Sequence, residues 1–348
     1  MKKEKSKCIY VPLKDGEKVR RYLKNNRFLK DDLKIIKDTT YIYFPLIDKS
    51  NINIKSFNII NKIFEKKNKK KIYYKNKLKN IVPKNIFNSL PRSFDIIGDI
   101  ILLRLNQDLL SYKKEIGKAI LTTNKNAKVV CLIEPVKGEL RTRCIEIIAG
   151  EKLTKTIHKE FGLTFEVDVN KTYFSPRLAN ERKRITKLVR PKDVVVDMFA
   201  GVAPFSIMIA KYSNPKIIYA LDKNPYAIKY AKINVKNNRV LDKIQVIKSD
   251  AKDSINIIKE KADQIIMNLP FSAYKFFKYA LKIANNISII HYYDILKEDE
   301  IGKRVEFLKK IAIDNGFFLE TLDIHKIKTY APREFYICID ITAKKMPM

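Results

Sequence analysis

The residues best suited to chemistry sit where apolar runs end. Residues 194–196 are three valines that lead into Asp197, and a turn through Ala200, Gly201, Val202 and Ala203 precedes a helix opening near Pro204. A short apolar run that feeds a helix through a small-residue turn reads as the first strand of a doubly wound sheet. Ligands on such sheets lie at the carboxyl ends of the strands, where Asp197 and Gly201 fall. Residues 217–222 (IIYALD) form a second strand ending in Asp222, a carboxylate placed to hold a ribose diol. Only 9 of 348 residues are glycine, so Gly201 is positional; the GxGxxG dinucleotide fingerprint is absent. A fourth strand ends in Asn268-Leu269-Pro270-Phe271. An amide beside a rigid proline offers a donor and an acceptor to the edge of a heterocycle. The same two residue types also favour a plain turn.

Positioning these groups requires the rest of the chain. Strands are expected near 194–197, 217–221, 244–247, 264–267 and 287–293, with helices near 204–212, 225–237, 274–285 and 299–314. Residues 317–328 and 334–341 read as a closing pair of strands. Residues 175–185 (SPRLANERKRI) form the helix before the sheet, with Ser175 as cap and Pro176 at its first position. Upstream, 72–170 is strand-rich: strands at 94–98, 100–105, 128–133 and 157–169, a helix at 112–121, and a strand that puts Arg141 and Arg143 on one face. Residues 1–66 read as a small α/β unit. It has strands at 8–13, 35–36 and 41–46, a basic helix at 16–25 with Val19, Tyr22 and Leu23 on one side, and a second helix at 54–64. The run KKNKKK at 66–71 is a solvated linker or an RNA-backbone contact. Three domains follow, at 1–66, 72–170 and 171–348.

Lys and Arg number 71 against 38 Asp and Glu, a formal charge of +33. Compositional drift explains lysine standing for arginine better than it explains the excess, which self-repulsion makes costly. A polyanion such as nucleic acid is the economical partner. No apolar run approaches the ~20 residues of a membrane span, and the basic start MKKEKSK lacks a following apolar core, so an intracellular location is expected. Cys8, Cys131, Cys144 and Cys338 are scattered; with only His158, His291 and His325 available, neither disulfides nor a zinc site is favoured. The histidines read as structural, with His291 satisfying a buried hydrogen bond on the fifth strand.

The pattern strand–DMFAGVAPFS–helix, strand–LDKNP–helix, strand–SDA, strand–MNLP resembles the S-adenosylmethionine-dependent methyltransferases of Rossmann-like (class I) fold. Ala203 stands where that family usually has its second glycine. With KGELRTR, YFSPRLANER, HYY and KTYAPREFY, the order and spacing are similar to the archaeal and eukaryotic tRNA (guanine-N1)-methyltransferases acting at tRNA position 37. The matches run from about 137 to the C-terminus, and the N-terminal unit is compatible with that family's small tRNA-binding domain. The resemblance implies an α/β enzyme that binds S-adenosylmethionine through Asp197, Phe199, Gly201, Asp222, Asp250 and Asn268.

On the substrate side it implies Glu181 as the base that removes the N1 proton, Arg141 at guanine O6, Asn268 at the base edge, and Tyr173, Arg182 and Pro270 around the flipped ring. A base and an O6 partner are what the chemistry demands, because guanine N1 is protonated and poorly nucleophilic at neutral pH. The residues alone leave plainer readings open: Glu181 as a helix carboxylate pairing with Arg184 or Lys187, Arg141 as a phosphate contact, Tyr173 as core. The family also uses magnesium to assist the base step, although no dedicated cage is visible in the sequence and no metal ligand is assigned. A cytoplasmic monomer acting on tRNA, with no membrane or DNA partner, is expected. The rivals are C7-methylation of the wyosine precursor (4-demethylwyosine) at the same position, aminocarboxypropyl transfer, and a non-catalytic RNA-binding protein.

Overall fold

The computed structural model describes residues 3–47, 57–66, 74–134 and 144–347, and the chain forms two compact units, 1–73 and 74–348. In the first, β1 (Lys3–Pro12), α1 (Gly16–Asn25), β2 (Ile36–Lys37), β3 (Tyr41–Pro45) and β4 (Ile59–Glu65) build an antiparallel sheet of order β2-β3-β1-β4. α1 buries Val19 and Leu23 with Ile9, Val11 and Phe44, while Tyr22 turns outward, 48% exposed. The helix expected over 54–64 is a strand where it is described: β4 pairs with Lys3–Ile9 of β1. Ile59, Ile60 and Ile63 are β-branched and stiff at χ1, and an open edge of β1 rewards the extended form.

The second unit begins with α2 (Lys84–Phe87), β5 (Asp95–Ile97), β6 (Ile100–Leu103), α3 (Lys113–Thr123), β7 (Val129–Ile133) and β8 (Ile145–Gly150). Its four-stranded sheet runs β5-β6-β7-β8, with β6 and β7 parallel and α3 as the crossover between them. β9 (Lys155–Glu160) and β10 (Leu163–Asp168) form a hairpin. Phe161 and Gly162 turn it with φ of 45° and 75°, the left-handed pair that a tight hairpin of this twist needs. A single 3-10 turn at Pro176–Leu178 leads into α4 (Ala179–Leu188). Ser175 makes no side-chain cap there, contrary to expectation; its carbonyl instead accepts from the buried Arg182.

Then come β11 (Val194–Asp197), α5 (Pro204–Tyr212), β12 (Ile217–Asp222), α6 (Pro225–Asn237), β13 (Ile244–Lys248), α7 (Ser254–Ile257), β14 (Ala262–Met267), α8 (Phe277–Ile283), β15 (Ala284–Lys297), α9 (Ile301–Ile313), β16 (Phe317–Ala331) and β17 (Glu334–Lys345). The sheet order is β13-β12-β11-β14-β15-β17-β16. The strands are parallel through β15, and β17 is inserted antiparallel between β15 and β16. Both faces are covered, which is why the strands read as continuous apolar runs. Val194 and Val196 pack with residues of α8 and α9. Val195 packs on the other side with α4, α5, α6, and also with Ile100 and Cys131 of the smaller sheet and Phe165 of β10. The strand-rich segment therefore shares one core with the large sheet. Asn234 on α6 and Asn238 just past its end, one turn apart, reinforce that seam. Each accepts from a backbone N–H of β10 and donates to the same residue's carbonyl, at 2.7 and 3.1 Å for Glu166 and 3.0 and 2.7 Å for Thr164. Among the described residues no helix is long and apolar enough to cross a membrane.

Candidate active site

A cleft of about 1020 Å³ opens at the carboxyl ends of β11, β12 and β14. It exceeds the volume that a single small ligand usually needs. Tyr173, Phe199, Gly201, Asp222, Asp250, Asn268 and Pro270 all line it. Those seven sequence candidates are brought together.

The turn after β11 shapes one end. Gly201 has φ +56°, and a Cβ built there would meet nothing closer than the Tyr173 carbonyl oxygen at 3.7 Å. Conformation, more than protein crowding, therefore demands glycine here, and the space beside it belongs to the cleft. Ala203 also lies in the left-handed region, at φ +64°. The Gly201 N–H donates to Asp222 Oδ2 at 2.7 Å and the Asn224 N–H to Oδ1 at 2.8 Å. Burial nonetheless raises the Asp222 pKa, against those two bonds. Asp250 accepts from the Lys252 N–H at 3.0 Å and faces the Lys223 ammonium at 3.6 Å. Phe199 and Phe276 meet edge to face, centroids 5.1 Å apart. A turn without a side chain, two carboxylates and an aromatic wall fit the ribose, adenine and methionine parts of S-adenosylmethionine.

The other end is built from Asn268, Pro270 and Tyr173. The Asn268 carbonyl accepts from the Tyr336 hydroxyl, and its NH2 donates to no group among the described residues. Tyr336 also lines the cleft. No role was read for it in the sequence, although it belongs to the KTYAPREFY segment; its signal was an aromatic in an alternating strand, which looks like core.

Three more candidates are buried in the cleft wall or behind it. Asp197 is 1% exposed and stands behind the cleft. Its Oδ2 accepts from Ser206 on α5 at 2.8 Å, and its Oδ1 has no hydrogen-bond partner among the described residues. Burial, with the nearby Asp222 charge, pushes it up to about 7. Arg182 reaches the cleft wall but is 1% exposed. Its guanidinium donates to both Glu160 oxygens, at 2.6 and 2.5 Å, and to the Ser175 carbonyl at 3.3 Å. Its geometry is that of a bolt between α4 and β9, with its polar edge engaged by Glu160 and the Ser175 carbonyl. Glu181, 3% exposed, is outside the lining. Arg184 grips it at 2.9 and 2.7 Å, and the Tyr293 hydroxyl donates at 2.8 Å. Arg141 and the KGELRTR segment lie outside the described residues, as does most of the basic run at 66–71.

The Glu181 contacts continue inward. Arg184 also donates to Asp340 at 2.5 Å, Asp340 pairs with His291 Nδ1 at 2.6 Å, and His291 Nε2 meets Gln264 at 3.0 Å. Burial alone works against the Arg184 charge, but its bonds to Glu181 and Asp340 outweigh that and raise its pKa. His291, Cys338 and Asp340 are close enough to hold a metal ion, yet both histidine nitrogens and the carboxylate already have protein partners. His291 is the buried, satisfied histidine that its strand position suggests, and His158 Nδ1 accepts from the Gly98 N–H at 3.3 Å. His325 is 43% exposed at its side chain and stands 3.6 Å from Glu181.

Comparison with known proteins agrees with this geometry. Residues 156–319 match the TRM5/TYW2 methyltransferase domain, 74–154 the TYW2 N-terminal domain, and 8–54 the tRNA methyltransferase 5 N-terminal domain. The chain is 39% identical to tRNA (guanine(37)-N(1))-methyltransferase Trm5b of Pyrococcus abyssi over 335 residues, covering 96% of this chain and 98% of that protein. It is 34% identical to the tRNA(Phe) (4-demethylwyosine(37)-C(7)) aminocarboxypropyltransferase of Methanocaldococcus jannaschii, over 70% of this chain and 95% of that protein. The solved complex of aTrm5 and tRNALeu superposes with a TM-score of 0.68 at 38% identity, over 96% of this chain and 99% of the other. The chain belongs to the TRM5/TYW2 family of tRNA methyltransferases.

Proposed function

We propose that this protein transfers a methyl group from S-adenosylmethionine to N1 of guanosine 37 in tRNA. One observation carries the reading: a nucleotide-shaped half built on Gly201, Asp222, Asp250 and Phe199 opens directly into a second half built on Asn268, Pro270 and Tyr173. Bound S-adenosylmethionine supplies a methyl group already activated on a sulfonium. Asp222 accepts the ribose hydroxyls, Asp250 meets the adenine amino group, and Phe199 walls the ring. Asn268 holds the edge of a guanine flipped from the anticodon loop, and Tyr173 covers its face.

Glu181 takes the N1 proton and Arg141 stabilises the charge that gathers on O6. Glu181 sits one layer behind the cleft. Tyr293, which bonds it, packs against Tyr336 and Phe205 at 6.0 and 5.8 Å, and both of those line the wall. For Glu181 to act, its contact with Arg184 or Tyr293 opens as the guanosine enters. A magnesium ion does not fit beside the proposed base, because Arg184 already bridges Glu181 and Asp340, and no step runs through one. The 1–66, 72–170 and 171–348 segments divide the work: tRNA docking, support of the O6 partner, and chemistry. A cytoplasmic monomer with no DNA partner completes the reading.

Aminocarboxypropyl transfer is disfavoured, since the likeness to such enzymes is lower and covers less of the chain. Labelled S-adenosylmethionine, an unmodified tRNA transcript and resolved product nucleosides test the proposal. Label in 1-methylguanosine is expected; label only in a wyosine base, or none, would overturn it.

A further inference from the structure

Phe271 ends the NLPF segment with φ +72°, a backbone conformation that a bulky residue adopts only where its surroundings impose it. Its N–H is held by the buried Asp294 at 3.1 Å. The outcome is an aromatic ring directed outward, 49% exposed. It meets Tyr330 near the end of β16 edge to face, with centroids 5.7 Å apart, and Tyr330 is also 49% exposed. Both rings line the same cleft as Asn268 and Pro270, and Lys275, Lys278 and Lys328 line it with them. Strain that keeps an apolar ring in water, on a rim rich in ammonium groups, does nothing for the core.

We propose that Phe271 and Tyr330 form a stacking platform for the nucleobase adjacent to the target guanosine on the RNA strand. The occupant follows from the chemistry: an aromatic face accepts any base, and the surrounding lysines suit the phosphates that flank it. Extruding one guanosine removes its neighbour's stacking partner, and the platform replaces it. The inference rests on the tRNA methyl-transfer reading above and deepens it.

The test uses full-length enzyme, S-adenosylhomocysteine and tRNA transcripts carrying 2-aminopurine at one or the other nucleotide flanking the target. With wild type, emission at one flanking position is quenched on binding. Phe271→Ala and Tyr330→Ala, on different elements, each abolish the quench and weaken tRNA binding about 5- to 150-fold, the range for one base–aromatic stack. Phe271→Tyr retains both, and S-adenosylhomocysteine affinity is unchanged throughout. Wild-type methylation with quench and tRNA affinity intact in both alanine variants overturns the platform and leaves the methyl-transfer reading standing. Absence of 1-methylguanosine from wild-type reactions sinks that reading instead.

Discussion

Glu181→Gln separates two roles that the proposed mechanism would have one carboxylate fill. Glu181 is the proposed base, and it is also half of a buried pair with Arg184. The amide keeps an acceptor for Tyr293 but loses the charge that Arg184 grips at 2.9 and 2.7 Å. Arg184 retains Asp340 at 2.5 Å, so the stability loss should be that of a charge-assisted hydrogen bond, roughly 1.5–3 kcal/mol. Loss of a positioned base costs about 10²–10⁴-fold in rate, or about 2.7–5.5 kcal/mol of barrier. Asp340→Asn is the control, because it strips the other carboxylate from Arg184 without touching a proposed base. In the native protein burial raises the Asp340 pKa, but its bonds to His291 and Arg184 outweigh this and hold it far below the usual range. That stability is present above the unfolded value and lost as pH falls, so the control is run near neutral pH. The assay is single-turnover methyl transfer with saturating enzyme, beside a thermal melt. The expected result is destabilisation in both variants, at least as large in Asp340→Asn, which also disturbs the bond to His291, and a rate collapse in Glu181→Gln alone, partly rescued at a pH that ionises guanine N1. A folded Glu181→Gln enzyme with wild-type rate would return Glu181 to the ion-pair network and leave the base unassigned.

Gly201→Val should lower S-adenosylhomocysteine affinity by well over tenfold in calorimetric titration, since a branched residue at φ +56° is strained and its side chain enters the cleft; wild-type affinity would place the cofactor elsewhere. Arg182→Met strands the buried Glu160, whose other side-chain neighbour at ion-pair distance among the described residues is His158 at 3.6 Å, and should cost about 3–5 kcal/mol by denaturant titration. An unchanged midpoint would contradict the bolt between α4 and β9. Asp197 is pushed up to about 7 in the folded protein, so the native state binds the extra proton between the ordinary carboxylate range and neutrality. Wild-type stability therefore falls relative to Asp197→Asn as pH rises, by roughly 2–3 kcal/mol from pH 5 to 7; a pH-independent difference would show that Asp197 is already ionised at pH 5.

The part of the cleft proposed to hold the cofactor was legible because it is local. Gly201, Asp222 and Asp250 each end a strand or begin the turn after it, so linear spacing translates directly into position at one edge of a parallel sheet. Asp197 shows the limit of that logic. The strand end was read correctly, but pleating decides which side chain faces the cleft, and this one turns back to accept from the Ser206 hydroxyl on α5. The α4 residues were harder still. Spacing allowed Glu181 to meet Arg184 on one helix face, and it does, while nothing in the sequence announced that Arg182 would find Glu160 across 22 positions. In the first unit, a helix was read into 54–64, and long-range pairing with β1 prevailed over the local pattern.

The closing hairpin shows why the substrate half resisted a linear reading. β17 enters the sheet antiparallel beside β15, and β16 flanks it, so residues from the end of the chain meet groups 49 to 156 positions earlier in the sequence. Tyr336 reaches Asn268, and Asp340 reaches both His291 and Arg184. His325 approaches Glu181 from β16, and Tyr330 meets Phe271 at the mouth. A parallel strand at this place would reverse the order of these side chains relative to the cleft and separate Tyr336 from Asn268. The antiparallel insertion is therefore what lets one hairpin tie the Asn268 amide, the buried carboxylate network and the aromatic rim into a single wall, each through a residue four to six positions from the next.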